Sequence, residues 1–380
     1  MAQGTSIAQT RERQTGRVLG VKEEDGVLRF TLKGVNYSVA NALRRTVLSD
    51  IPTVGFRVFP HAANEAEFEV NTSRLNNEIL KQRLGCIPVH IKDQELPYRS
   101  LTVEIDVTND TESVLYVTTE HFAVKDSSTD RYLERKAVQE MFPPDPLTGD
   151  YILFARLRPK LSNEVPGEAI KVKAKLSMQT ASTSSMYNVC SACSYGMTPD
   201  KPAQAAAWKK VQGTLSEPDE DSLAQQDWYN HDARRIFLND SFDFRIETIG
   251  VFTNRELVQK ACEIISQKLD KVMTGSQDGT LAVRETLTTM ANAFDVTLEG
   301  EGYTLGKLIE AILHENSYSK QKILSYVGFR KAHPHDTDSN LRLALKGKPE
   351  DGAATVRALI KEACGAGVKV MTEIAQAFQQ

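Results

Sequence analysis

Cysteine is scarce in this sequence: five in 380 residues. That is too few for a disulfide scaffold and is read as the usage of a reducing, intracellular compartment. No apolar run approaches the roughly 18–20 residues that span a bilayer. The opening stretch, MAQGTSIAQTRERQT, lacks the apolar core of a secretory signal. Charge of one sign is missing too, since 46 lysines and arginines against 50 aspartates and glutamates leave −4 at pH 7. A chain so balanced does not coat DNA or an anionic membrane through bulk charge, although a local basic patch is still allowed. Apolar residues (41%) and charged residues (25%) are present in ordinary amounts. There is material for a real core, and at about 150 residues per domain the length allows two or three domains.

The chain repeats itself. Shifted by 266 positions, VLRFTLKGVNYSVANALRRTVL (27–48) lies over AFDVTLEGEGYTLGKLIEAILH (293–314), with identities at Thr31/Thr297, Leu32/Leu298, Gly34/Gly300 and Tyr37/Tyr303. Both copies spell the same local physics. An alternating strand (Leu28, Phe30, Leu32; Phe294, Val296, Leu298) ends at a glycine able to turn the backbone. Ser38 or Thr304 is then placed to cap a helix. One helix carries the apolar stripe Val39, Leu43 and Val47, the other Leu305, Leu308, Ile309 and Ile312. Each copy is followed later by a second alternating strand (Phe242, Phe244, Ile246; Leu341, Leu343, Leu345) and a long amphipathic helix. These helices are expected over 254–273, opened by a Thr253/Glu256 capping box, and over 353–378, with Ile374 on the stripe. Gly365 and Gly367 inside the last helix each cost roughly 1 kcal/mol of propensity, which implies a kink or a close approach. Neither half closes a core alone, so the pattern predicts an α+β fold of two strand–helix halves packed as a pseudo-two-fold dimer within one chain.

Spacing exposes an insertion. From first to last helix the first half runs from 38 to 254 and the second only from 304 to 353, an excess of about 167 residues. The expected plan is a disordered 1–15, a first dimerisation domain from 16–55 plus 169–273, and a mainly β inserted domain at 56–168. A 274–292 linker, whose nineteen residues reach about 24 Å as coil, leads to a second dimerisation domain at 293–380. The polar 196–232 stretch, with acidic residues between Glu217 and Asp221, reads as a mobile surface loop.

Several constellations mimic sites. Cys190 and Cys193 form a lone CxxC, but Cys86, Cys262 and Cys364 offer no second pair for zinc. Asp336, Asp338 and Asn340 open like a calcium loop, yet Leu341 stands where the glycine is required and Gly347 where the bidentate glutamate belongs. Gly302 to Gly306 leaves three residues rather than the four of a phosphate loop, and Leu308 replaces its Ser/Thr. No DxDxD triplet, G-x-S-x-G elbow or HExxH pair occurs, so no catalytic residue, metal or cofactor is assigned. Arg44 and Arg45 fall off the Val39/Leu43/Val47 stripe and by themselves read as a solvated helix face pointing away from the seam.

NALRRTVLSDIP (41–52) and NTSRLNNEILKQRLGCIPV (71–89) resemble the assembly subunit of multisubunit RNA polymerases: bacterial α, archaeal D, the third-largest subunit of polymerase II. EGYTLGKLI (301–309) and YVGFRKAHP (326–334) resemble its smaller partner, the archaeal L subunit or the eleventh subunit of polymerase II. Here both lie in one chain, which is most similar to the fused subunit of nucleocytoplasmic large DNA viruses. The partner motif departs from its usual proline at Ala332. Cellular versions often hold zinc or an iron–sulfur centre in the inserted domain; only Cys86 lies there, so that cofactor is expected to be absent. The resemblance implies a non-catalytic scaffold that joins the largest and second-largest polymerase subunits and other small subunits. It would meet DNA only through the complex and no membrane, in a virion and the host cytoplasm or nucleus. It implies a large-subunit interface at Asn41, Arg44, Arg45 and Arg83, and a seam through the two stripes, Phe329 and Ile374. A free-standing dimeric adaptor or DNA-architectural protein is the alternative.

Overall fold

The two central strands of each predicted half set the architecture, because their alternating residues can be buried only beneath helices. The structure, a computed structural model, describes residues 16–93, 97–162, 164–213, 218–286, 289–348 and 350–379; the expected disordered segment 1–15 lies outside them.

The chain opens with β1 (Arg17–Glu24), β2 (Val27–Lys33) and α1 (Tyr37–Ser49). It continues through β3 (Thr53–Phe56), β4 (Ala66–Asn71), α2 (Asn77–Gly85), β5 (Leu101–Thr108), β6 (Leu115–Thr118) and β7 (Ala123–Asp126). Next come β8 (Arg131–Tyr132), α3 (Arg135–Met141), β9 (Leu153–Leu157), β10 (Ala169–Gln179) and β11 (Cys190–Pro199). A helical pair, α4 (Lys201–Gln212) and α5 (Pro218–Asn230), leads to β12 (Phe237–Thr248) and α6 (Asn254–Asp278). The last part runs β13 (Val283–Glu285), β14 (Ala293–Leu298), α7 (Tyr303–Leu313), β15 (Leu324–Arg330), β16 (Ser339–Leu345) and α8 (Gly352–Gln376). Among the described residues no helix is long and apolar enough to cross a membrane.

Two compact units result. One holds the chain up to Val47, Ala192–Glu247 and Asn254 onward; the other holds Leu48–Ser191 with Thr248–Thr253. The inserted unit is therefore wider than the expected 56–168, because β3 and β10 pair with each other (Leu176 opposite Phe56) and take the flanking chain with them. In this unit β4 and β5 both pair with β10. The alternation of β10 puts Ile170, Val172, Ala174 and Leu176 into a core with Phe56, Phe122, Phe142 and Phe154. The intervening Lys171 and Lys173 both reach Glu69, at 3.3 and 2.5 Å, and hold its carboxyl below the usual range.

The first unit contains the repeat. Its two four-stranded sheets run β1-β2-β12-β11 and β13-β14-β16-β15, the same order with the same helices following the same strands. Equivalent details recur. Gly34 and Gly300 both turn the chain at positive φ, 78° and 67°, where a side chain is disfavoured. Thr31 donates to Asp243 at 2.7 Å, and its counterpart Thr297 donates to Asn340 at 3.0 Å. The buried stripes of α6 and α8 coincide at a spacing of 102 residues. Leu257, Val258, Ala261, Cys262, Leu269 and Val272 fall on Leu359, Ile360, Ala363, Cys364, Met371 and Ile374.

These two helices pack antiparallel. Gln259 donates to the Phe378 carbonyl at 2.8 Å, and ten residues further along α6 Leu269 lies over Gly367, eleven residues back from Phe378. Phe378 also meets Phe30 of the first sheet edge-on at 5.0 Å, and Phe30 stacks on Phe244 at 4.9 Å. A long helix of the second half thus helps to close the core of the first.

Two regions differ from the expected plan. The 196–232 stretch is the end of β11 followed by two helices, not a loop. Asp200 caps α4 through the Ala203 N–H at 3.1 Å, the alanine run that follows is strongly helix-forming, and Trp208 packs against Trp228 at 5.6 Å. Nor is 274–292 a coil, since α6 continues to Asp278 and β13 joins the second sheet.

The two glycines of α8 separate cleanly. A methyl on Gly367 would stand 2.8 Å from Leu269 and 3.2 Å from Ile312, whereas nothing lies within 4 Å at Gly365. Replacing Gly365 by alanine should therefore stabilise the protein by about 1 kcal/mol through helix propensity. Replacing Gly367 by leucine should destabilise it by about 1–3 kcal/mol through overpacking. Denaturant melts of both variants beside the parent check the two opposite signs.

Candidate functional site

Helix α1 follows Asn36, whose side-chain oxygen accepts the Ser38 N–H at 2.8 Å. The cap is thus Asn36 rather than Ser38, which is buried. Helix α7 follows Gly302 with no side-chain cap. Thr304, expected to cap it, instead accepts a hydrogen bond from Arg45 Nε at 2.8 Å. This contact joins the two halves and corrects the expectation that Arg45 points away from the seam.

The correction has a geometric cause. One small cavity is walled by Ala42 and Thr46 of α1, Ile265 and Lys268 of α6, and Thr304, Leu305 and Leu308 of α7. Successive residues turn 100° about a helix, so the side of α1 that meets α7 is the Ala42/Thr46 edge, with Arg45 next to it. In α7 the seam side is Leu305, Leu308 and Ile312, and Ile312 reaches α8 beside Gly367. The face around Gly306 looks the other way, because a methyl there would meet the Phe329 ring of β15 at 2.0 Å. In the repeat Ile309 is the counterpart of Leu43, and Leu313 that of Val47. Leu43, Val47 and Ile309 are fully buried. Phe329 is half-buried and packs on Tyr303 of its own half at 5.0 Å. Leu305 and Leu308 line the cavity with α1 and α6, Ile312 reaches α8, and Val39 and Ile374 are buried. Ala42 and Thr46 were missed: alanine and threonine read weakly as apolar, and only their i, i+4 spacing beside Leu305 and Leu308 of the second copy could have marked them.

The polar residues of α1 are organised. Arg44 donates from Nε and Nη2 to Asn41 Oδ1, at 3.1 and 2.8 Å, so the pair is a preformed unit one turn apart. In the second half the equivalent positions are Lys307 and Glu310, which pair at 2.6 Å, while Ala311 stands where Arg45 does. Lys307, which follows the Gly302–Gly306 near-match to a phosphate loop, is thus an ordinary helix ion-pair partner. One outer face presents two guanidinium groups and an amide; the other presents a neutralised pair and a methyl. Guanidinium forks bond carboxylates and carbonyls with fixed geometry, so the first face suits an oriented protein contact.

Arg83 lies in the other compact unit, on α2. Asn76 caps that helix, accepting from the Ile79 N–H at 3.0 Å, and Arg83 Nη2 donates to the Leu153 carbonyl at 2.9 Å. Asn41, Arg44 and Arg45 are brought together on one helix; Arg83 belongs to a separate constellation. His333 to Asp338 form the β15–β16 turn, where Asp336 accepts the His333 N–H at 2.8 Å and Asp338 accepts the Gly300 N–H at 2.9 Å. Those carboxylates tie backbone. Among the described residues no group of three or more histidines, cysteines, aspartates or glutamates is arranged to hold a metal.

This mirrored pair of sheets, with a domain inserted in one half, defines a dimerisation scaffold. The profile of the RNA polymerase Rpb3/Rpb11 dimerisation domain matches residues 29–269, more than half of the sequence. Subunit RPAC1 of DNA-directed RNA polymerases I and III from Bos taurus is 24% identical over 311 residues, covering 70% of this chain and 86% of the bovine protein. Subunit Rpo3 of the DNA-directed RNA polymerase of Pyrococcus furiosus is 47% identical over 68 residues, 18% of this chain and 23% of the archaeal one. Subunit 3 of RNA polymerases II, IV and V of Arabidopsis thaliana is 42% identical over 66 residues, 17% of this chain and 18% of its own. The chain belongs to the Rpb3/Rpb11-type family of RNA polymerase subunits, whose role is assembly and not catalysis.

The cysteines behave as packing residues. Cys190, Cys193, Cys262 and Cys364 are buried and Cys86 is exposed. Burial pushes the Cys364 thiol up to about 12, with Asp270 adding to the shift, and pushes Cys262 up as well. Thiolate is the reactive form. Ellman's reagent at pH 8 should therefore titrate one thiol in the folded protein and five after denaturation, with peptide mapping placing the fast label on Cys86.

Proposed function

We propose that this chain is a fused assembly subunit in which the two members of the polymerase dimerisation pair share one polypeptide, as in large DNA viruses. It bridges the largest and second-largest subunits. The Asn41/Arg44/Arg45 face takes the second-largest, the outer side of the second half takes the largest, and DNA is met only through the complex. The single observation that supports the fused reading is the repeated element order, strand-strand-helix-strand-strand-helix, present twice in one chain with matched sheets. The asymmetry of the two outer faces supports the division of partners, because one carries the Asn41–Arg44 unit with Arg45 beside it and the other the Lys307–Glu310 ion pair. Family membership disfavours the alternative of a free-standing adaptor or DNA-architectural protein.

The test is co-purification. In cells making all subunits, Arg44→Ala together with Arg45→Ala should remove the second-largest subunit from the affinity-purified complex. The isolated variant should melt within about 1 kcal/mol of the parent, as surface substitutions do. Recovery of that subunit in undiminished amount overturns the assignment of this face.

A further inference from the structure

The inserted unit carries a second arginine constellation. A cleft of about 400 Å³ is walled by Arg74, Arg83, Arg156 and Arg158 and lined between them by Leu75, Val114, Leu153 and Leu157. Four guanidinium groups around one cleft are notable in a chain of net charge −4. Three of the four positions are fixed by contacts within the unit. Arg83 is held by the Leu153 carbonyl. Arg156, directly opposite Tyr116 in the β6–β9 pair, lies over that ring at 5.3 Å. Arg158 is fixed by the buried Glu168, which accepts from its Nε at 2.5 Å and its backbone N–H at 2.7 Å. Glu168 compensates Arg158 alone: Arg74, Arg83 and Arg156 have no carboxylate partner among the described residues. Arg74, Arg83 and Arg156 are like charges around one aliphatic floor, and their repulsion falls when an anion enters.

We propose that this cleft docks an acidic segment of a partner polypeptide, an extended stretch in which aliphatic side chains alternate with aspartate or glutamate. The arginines supply bidentate bonds to carboxylates, and the leucine and valine floor supplies an apolar anchor site. A nucleic acid fits less well. Among the described residues that line the cleft none is aromatic, and the neighbouring Tyr116 ring is covered by Arg156, whereas single strands stack their bases on open rings beside a basic groove. The proposal names the chemistry of one further assembly contact and rests on the assembly reading, but its test uses the purified chain alone, so the two can fail separately.

The probe is a fluorescein-labelled octapeptide of alternating glutamate and leucine, followed by polarisation at low salt. Its counterpart with glutamine in place of glutamate, and a single-stranded twelve-nucleotide DNA, serve as controls. The acidic peptide should bind saturably and the glutamine peptide should not. Arg74→Ser with Arg156→Ser should weaken binding about tenfold or more, for the loss of two charge-assisted contacts, with an unchanged melting temperature. Arg44→Ala with Arg45→Ala should leave it unaltered. No saturable binding, equal binding of both peptides, or DNA displacing the peptide at lower concentration than the unlabelled peptide does would overturn the proposal. Loss of the second-largest subunit on Arg44/Arg45 substitution bears on the assembly reading only.

Discussion

The antiparallel contact of α6 with α8 is the interaction on which the rest of the first unit depends. Each helix offers a stripe of buried side chains longer than one small sheet can cover, and fully burying a residue such as leucine or isoleucine contributes about 1.5–3 kcal/mol. Left alone, either half would expose much of that stripe to water. Packed together, the helices cover one another, and the end of α8 reaches beyond its own half to set Phe378 against Phe30. The near-match of Cys262 with Cys364 and of Ala261 with Ala363 on the two stripes shows that the contact is built from the same pattern used twice. The exception is informative. Gly367 stands where Ile265 does in the other helix, and the space it leaves is filled by Leu269 and Ile312.

Duplication alone would give a platform with two identical ends, able to hold two copies of one partner but not two different ones. The outer faces of α1 and α7 break that equivalence without disturbing the seam. The same helical positions carry an Asn41–Arg44 unit in one half and a Lys307–Glu310 ion pair in the other. Both pairs join residues one turn apart, and both leave the buried side of their helix untouched. Specificity between partners can therefore diverge on the outside while the inside stays constrained by packing, because exposed positions carry little of the stability. Arg45 alone belongs to both worlds, since its Nε is engaged by Thr304 across the seam while its side chain remains exposed. That bond orients the guanidinium and reduces the entropy that a later contact would have to remove.

What was legible in the sequence follows burial. The central strands β2, β12, β14 and β16 are sandwiched by neighbours, alternate cleanly and could be read. The strands at the sheet edges, β1, β11, β13 and β15, could not, for they bury at most two residues each, and β1 has no fully buried residue at all. The helices were legible for the same reason, although the small residues of the α1–α7 contact were not. Apolarity marks a buried side chain but does not say which neighbour buries it, so the stripes of Leu43, Val47 and Ile309 predicted burial and not partners. The small residues Ala42 and Thr46, which let α1 approach α7, carry almost no apolar signal. Composition misled at 196–232, where polar and acidic residues suggested a loop although Asp200, the alanine run and the tryptophan pair specify helices. The arginine cleft was invisible, because Arg74, Arg83, Arg156 and Arg158 come from separate segments that only the fold of the inserted unit gathers.

The joint between the halves turns out to be much stiffer than a coil linker. With α6 running to Asp278 and β13 beginning at Val283, the connection is four residues long, and part of it is already tied: Asp278 accepts from the Thr280 N–H at 2.9 Å, and the Leu281 N–H donates to Gly275 at 2.8 Å. A flexible linker would hold the second half at an effective concentration of order millimolar. A short, hydrogen-bonded joint does more, because it also restricts the angle at which the halves meet and so removes part of the orientational cost of pairing. The edge strand β13 follows directly from the joint, and β14 and α8 follow in turn, so placing α6 already constrains where the second sheet can form. Pairing of the two halves is then a step in the folding of one chain, which itself fixes their stoichiometry.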